Sequence, residues 1–151
     1  MQASNSQNFT KISFYKPPKG TIQIPMKKES KKVTDIIKSF EDAQKMTKRP
    51  DVPEFSDAPE DMRDYFKAHY KISVIAEALN EGWKPDWNDH DQRKWFPYFW
   101  LSSAGFSFGA ARYLSATADA GVASRLCFKT DELATYAGKQ FVEIWNDIIL
   151  K

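Results

Sequence analysis

The chain offers few side chains for covalent or acid–base chemistry. It has two histidines, His69 and His90, and one cysteine, Cys127. A nucleophilic cysteine needs a base within hydrogen-bond reach and surroundings that lower its pKa. Cys127 sits between Leu126 and Phe128, with no glycine-rich loop or cysteine-enzyme signature around it, which is the pattern of a structural thiol. Glu77 and Glu81 stand one helical turn apart, an ordinary surface spacing. The densest set of hard ligands is Asp86, Asn88, Asp89, His90 and Asp91. Counted from Asp86, an EF-hand loop would need an Asp or Asn fifth, a glycine sixth and a glutamate twelfth. The chain has His90, Asp91 and Pro97 there. A zinc site would draw on more His and Cys than the chain holds. The segment therefore reads as a polar surface turn, with no metal, no cofactor and no catalytic constellation expected. Phosphate-cradling glycine loops and dinucleotide fingerprints are absent from the sequence.

What remains is an interleaving of aromatic and basic residues. Trp83, Lys84, Trp87, Arg93, Lys94, Trp95, Tyr98 and Trp100 follow one another closely, and Arg112, Arg125 and Lys129 come later. Aromatic faces stack bases or sugar rings, and guanidinium and ammonium groups meet phosphates. The sharpest reading takes Trp87, Trp95, Tyr98, Arg125 and Lys129 as binding residues for a small anionic, nucleotide-like ligand, close to the amides of a helix starting at Thr130. The rival reading makes the aromatics core and pairs Arg125 and Lys129 with nearby Asp131 and Glu132.

The elements that must position these residues follow from periodicity. Ile12 and Phe14, then Ile22, Ile24 and Met26, alternate around a Lys-Pro-Pro-Lys-Gly turn, so residues 1–30 read as a loose hairpin or an extended basic arm. Val33, Ile36, Ile37, Phe40 and Ala43 predict one amphipathic helix over 31–49, capped by Ser30. Pro50 and Pro53, with Pro59 just beyond, mark residues 50–58 as a linker. The main body, 59–151, begins with a helix to about Glu81, opened by an Asp57–Glu60 capping box and closed by Gly82 at the first position past its cap. Lys94–Leu101, the segment from Phe106 to Tyr113, and Ser124–Phe128 alternate as strands. In the last of these Leu126 and Phe128 are expected to face the core, with Arg125, Cys127 and Lys129 on the other side. Thr130 caps a final helix whose buried face includes Leu133, Ala137, Phe141, Ile144, Trp145 and Ile148. The expected fold is α+β: a three-stranded antiparallel meander packed against two main helices, with an additional amphipathic helix and the basic arm. Trp83 and Trp145 are expected between helix and sheet.

Charge divides the chain. Residues 1–50 carry eleven Lys/Arg against four Asp/Glu, and the remainder eleven against sixteen. A basic arm implies either a solvated leader or a nucleic-acid or other polyanionic partner. No apolar run approaches the roughly 20 residues of a membrane helix, the first residues hold no apolar core of a secretory leader, and a lone cysteine fits a reducing compartment.

From Lys71 onward, about half the chain, the sequence resembles a family of small proteins of bacteriophages and prophages of gut Bacteroidetes. The motifs are Leu79-Asn80-Glu81-Gly82-Trp83-x-Pro85-Asp86-Trp87, Lys94-x-x-Pro97-x-Phe99, Ser124-Arg125-Leu126-Cys127-Phe128-Lys129-Thr130 and Tyr136-Ala137-Gly138-Lys139-Gln140-Phe141. Glu41-Asp42-Ala43 is similar to an upstream element of the family, and residues 1–30 lie outside the resemblance. It implies a setting, infection of a bacterial host, and carries over no residue roles. Three function classes fit that setting. One is a non-enzymatic accessory binding protein in the host cytoplasm that sequesters a ligand or blocks a host protein, as in counter-defence. Another is a virion component whose arm laces into neighbouring subunits, with phage proteins or further copies of itself as partners. The third is a nucleic-acid-binding module using the arm. No membrane partner is expected.

Overall fold

The computed structural model describes residues 31–103, 105–117 and 125–151. The expected arm of residues 1–30, residues 118–121 of the turn that the small residues Ala116–Gly121 predict, and the start of the expected third strand at Ser124 lie outside the described residues. The 20-residue helix α3, Glu60–Leu79, is the central element. Its C-terminal half buries Ile72, Val74, Ile75, Ala76, Ala78 and Leu79. So many buried positions in succession wrap the helix almost all round, the mark of a helix inside the core. Two short helices, α1 (Val33–Ile36) and α2 (Phe40–Thr47), pack on it.

The single helix expected over 31–49 is broken at Ile37–Ser39. Ser39 and Asp42 form a capping box in its middle: the Asp42 N–H donates to Ser39 Oγ at 3.3 Å, and the Ser39 N–H donates to Asp42 Oδ2 at 3.1 Å. This start signal competes with continuation of the helix. The carbonyls freed by the break are taken by another helix, because Tyr136 Oη donates to Ile37 O at 2.6 Å and Gln140 Nε2 to Lys38 O at 2.9 Å. Ser30 lies outside the described residues, and α1 has no side-chain cap.

The expected capping box at Asp57 and Glu60 is absent. α3 starts after Pro59 without a side-chain cap, and Arg63 ties down the linker instead by donating to Ala58 O and Ser56 O. At its other end α3 stops at Leu79, short of Glu81. Asn80 is the cap, and Glu81 at φ 48° precedes Gly82 at φ 86°. Gly82 therefore lies one residue further from the helix than expected.

Strands β1 (Lys94–Ser102) and β2 (Gly105–Leu114) pair antiparallel, with Trp95 opposite Tyr113 and Tyr98 opposite Ala110. Beyond Tyr98 the register slips so that Phe99 faces Phe108, which leaves Gly109 as the extra residue of a β-bulge. One face of this ribbon carries Trp95, Pro97, Phe99 and Phe108. It is covered by α4 (Asp131–Gln140) and α5 (Val142–Leu150), with Trp145 5.7 Å from Phe99 ring to ring. The helix expected at the C-terminus is thus two, broken at Phe141. Thr130 caps α4 as expected, accepting the Leu133 N–H at 3.3 Å. A Cβ on Gly138 would lie 2.8 Å from Pro97 Cβ and closer still to the Phe108 ring, so glycine is what lets α4 approach the sheet.

Among the described residues the sheet has two strands, and the third expected strand is met by one isolated bridge, Trp95 with Phe128. The reason lies on the edge of β1. Trp95 and Phe128 exchange both backbone hydrogen bonds, at 3.0 and 2.7 Å. The next such pair of an antiparallel ladder would be Pro97 with Leu126, and Pro97 has no N–H to give. Of the alternation expected over 125–129, Leu126 and Phe128 are buried and Arg125 and Lys129 exposed, but Cys127, expected on the outer side, is buried as well.

Candidate functional site

Asn80 shapes the groove that is the strongest candidate site. Its side chain is buried, 7% exposed, and closes two hydrogen bonds to a segment almost fifty residues away. Nδ2 donates to Cys127 O at 2.9 Å and Oδ1 accepts the Lys129 N–H at 2.9 Å. This clamp, with Leu126 and Phe128 anchored in the core, sets Arg125 beside the exposed flank of α3.

Along that flank run two adjoining hollows of about 550 and 450 Å³, which share Arg49, Ser73, Glu77 and Arg125 as walls. The larger hollow is otherwise closed mainly by aromatic and apolar groups, among them Phe55, Phe66, His69 and Tyr70. The smaller adds Trp83, Lys84, Pro85 and Trp87. Arg49 and Glu77 form a two-pronged pair at 2.9 and 3.0 Å, and the Glu77 carboxylate raises the Arg49 pKa further above its usual value. Glu77 thus already has a partner. Arg125 forms no ion pair or hydrogen bond with another described residue, so the smaller hollow presents three cations against one carboxylate. Two indoles beside uncompensated positive charge can hold a planar anion by stacking and charge-assisted hydrogen bonds.

The five residues expected to bind are separated by the fold. Trp87 and Arg125 come together in the smaller hollow. Trp95 packs on the core cluster, 4.9 Å from Tyr113 ring to ring. Tyr98 lies on the opposite face of the ribbon, with the Arg112 guanidinium 3.6 Å from its ring centroid. Lys129 is exposed and does not line either hollow. Trp83, expected between helix and sheet, is half-buried in the groove wall and outside the core cluster. Arg49 and Glu77 were not legible as site residues: they are 28 positions apart and sit on separate helical patterns. Lys84 and Trp83 belong to the aromatic–basic run, which could have pointed to them.

The loop before β1 is built by its acids. Asp86 Oδ1 accepts the Asn88 N–H, Asp89 Oδ1 accepts the N–H groups of Asp91 and Gln92, and Gln92 Oε1 accepts the Asp86 N–H. Among the described residues no three His, Cys, Asp or Glu side chains converge as metal ligands. Lys94 is fully buried, its Nζ donating to Asp89 O at 2.7 Å and lying 5.5 Å from the Trp87 ring centroid. It is a strut for the groove wall rather than a surface cation. Burial pushes the Cys127 thiol up to about 11, with its own backbone hydrogen bond and the Lys94 charge acting weakly the other way. A thiol so raised stays protonated at neutral pH and is a poor nucleophile.

No protein-family model, curated protein or solved structure matches the chain.

Proposed function

We propose that this chain is a binding protein without catalytic chemistry of its own, and that it takes a small planar anion of nucleotide-like chemistry into the hollow between Trp83, Trp87 and Arg125. The observation that carries this reading is the Arg125 guanidinium, without a counter-ion among the described residues, in a groove walled by two indoles. Trp95, Tyr98 and Lys129 drop out of the binding set, and Lys84 joins it. In the setting suggested by the sequence resemblance, such a protein would act in the host cytoplasm during infection, sequestering a ligand or blocking the host protein that uses it.

Isothermal titration with mono-, di- and cyclic nucleotides tests the reading. Binding is expected for at least one of them, and Arg125→Ala should weaken it by roughly ten-fold or more, since a hydrogen bond to a charged group contributes about 1.5–3 kcal/mol. Folded wild-type protein that gives no heat with any of the panel would sink the small-ligand reading.

A virion role is the second reading. It rests on residues 1–30, whose basic, proline-containing sequence suits an arm laced between subunits. Mass spectrometry of purified particles decides it by the presence or absence of the chain.

A further inference from the structure

The β1–β2 ribbon has a second face, turned away from α4 and α5. By register it carries Phe96, Tyr98 and Trp100 from β1, opposite Arg112, Ala110 and Ser107 from β2. No described helix packs there. Trp100 is 56% exposed. Such a face would ordinarily be an aggregation liability, yet its rings are held in place. The Arg112 guanidinium lies 3.6 Å from the Tyr98 ring centroid. Tyr98 meets Trp100 at 5.2 Å and 89°. The indole of Trp100 occupies the space a side chain at the bulge would need, because a Cβ on Gly109 would lie 2.5 Å from Trp100 Nε1. The cross-strand partners Ser107 and Ala110 are small, so Trp100 is left exposed, while Phe96 and Tyr98 are part-buried.

Within the ribbon itself charge has one sign: from Gln92 to Thr117 the sequence holds no carboxylate, in a chain with 20 of them, and Arg112 is the exposed cation on this face. Arg112 makes no ion pair or hydrogen bond with a described residue, and a guanidinium stacked on a ring keeps its N–H edge free for an anion. Alternate β1 residues on one face recur about every 7 Å, which an extended polymer can follow ring by ring.

We propose that this face binds single-stranded nucleic acid, with a base stacked on the exposed Trp100, the strand running on past Tyr98 and Phe96, and a phosphate on Arg112. Aromatic platforms beside cations, without hydrogen-bond readout of base edges, give sequence-tolerant binding of single strands. A second copy of the chain fits the face less well, since a two-fold contact centred here would bring two Arg112 charges together. This site is separate from the groove of Trp87 and Arg125, and neither depends on the other.

Fluorescence anisotropy of a labelled oligo-dT with the full chain tests it, alongside tryptophan emission. Binding is expected to weaken with added salt and to quench tryptophan emission. Trp100→Ala and Arg112→Gln should each lower affinity about five-fold or more. Both variants alter exposed side chains, and circular dichroism checks that they fold. The proposal is overturned if the oligonucleotide does not bind, or if it binds with the same affinity to both variants, which would place the contact on other cations. It is overturned equally if Trp100→Ala abolishes self-association or binding to anionic vesicles while wild-type protein ignores the oligonucleotide.

Discussion

Asn80 shows how much one side chain can decide. It ends α3, holds the 127–129 segment, and thereby sets Arg125 at the groove. Asn80→Ala would remove both hydrogen bonds of the clamp, and should cost about 1–3 kcal/mol, read as a shift in the urea midpoint. A midpoint equal to wild type would show that water replaces the clamp without loss. Cys127 works through its pKa instead. The folded state holds the thiol proton to about pH 11, against 9.0 for an unperturbed group. Its contribution to stability is therefore present in full below pH 9 and is lost as pH climbs through 11, because the unfolded chain releases its proton first. The melting temperature of wild-type protein should fall across that window more steeply than that of Cys127→Ala. Parallel slopes for the two proteins would contradict the raised thiol.

At the scale of elements, local signals were outvoted where a neighbour offered something better. The 31–49 pattern is helical throughout, yet the chain breaks at Ile37 because Ser39 and Asp42 can cap each other and α4 supplies Tyr136 and Gln140 to the exposed carbonyls. Among the described residues the third strand is cut to a single bridge for the opposite reason, since Pro97 withholds the N–H that the ladder needs. Gly138 is the contact on which α4 and the sheet depend. In an isolated helix Gly138→Ala would gain about 1 kcal/mol. Here the new methyl meets Phe108 and Pro97, and overpacking of this kind costs about 1–3 kcal/mol. The collision should prevail and lower the melting temperature. A melting temperature that rose would mean α4 stands further from the sheet than Gly138 indicates.

At the scale of the molecule, residues 31–151 form one compact unit. The core cluster joins α1, α2, α3, α4, α5, Leu126 and Phe128 within it. Deleting residues 1–30 should therefore leave a chain that unfolds cooperatively, with a melting temperature close to that of the full protein. Loss of the sigmoidal transition would show that the leader completes the core. No described helix is long and apolar enough to cross a membrane.

The α+β class, the central helix, the Thr130 cap and the packing of Trp145 against the sheet could be read from the sequence, because each follows from periodicity or a capping residue within a few positions. The same holds for the polar turn at Asp86–Asp91. Tertiary structure alone decided which aromatics meet which cations. Trp87, Trp95 and Tyr98 are equivalent as letters, but a turn, a core-facing strand position and an open face send them to three environments. Arg125 and Trp87 come together because Asn80 reaches 47 residues along the chain to hold Cys127. Such a bond is set by where α3 ends and how the core packs, and no periodicity or spacing within the chain encodes it.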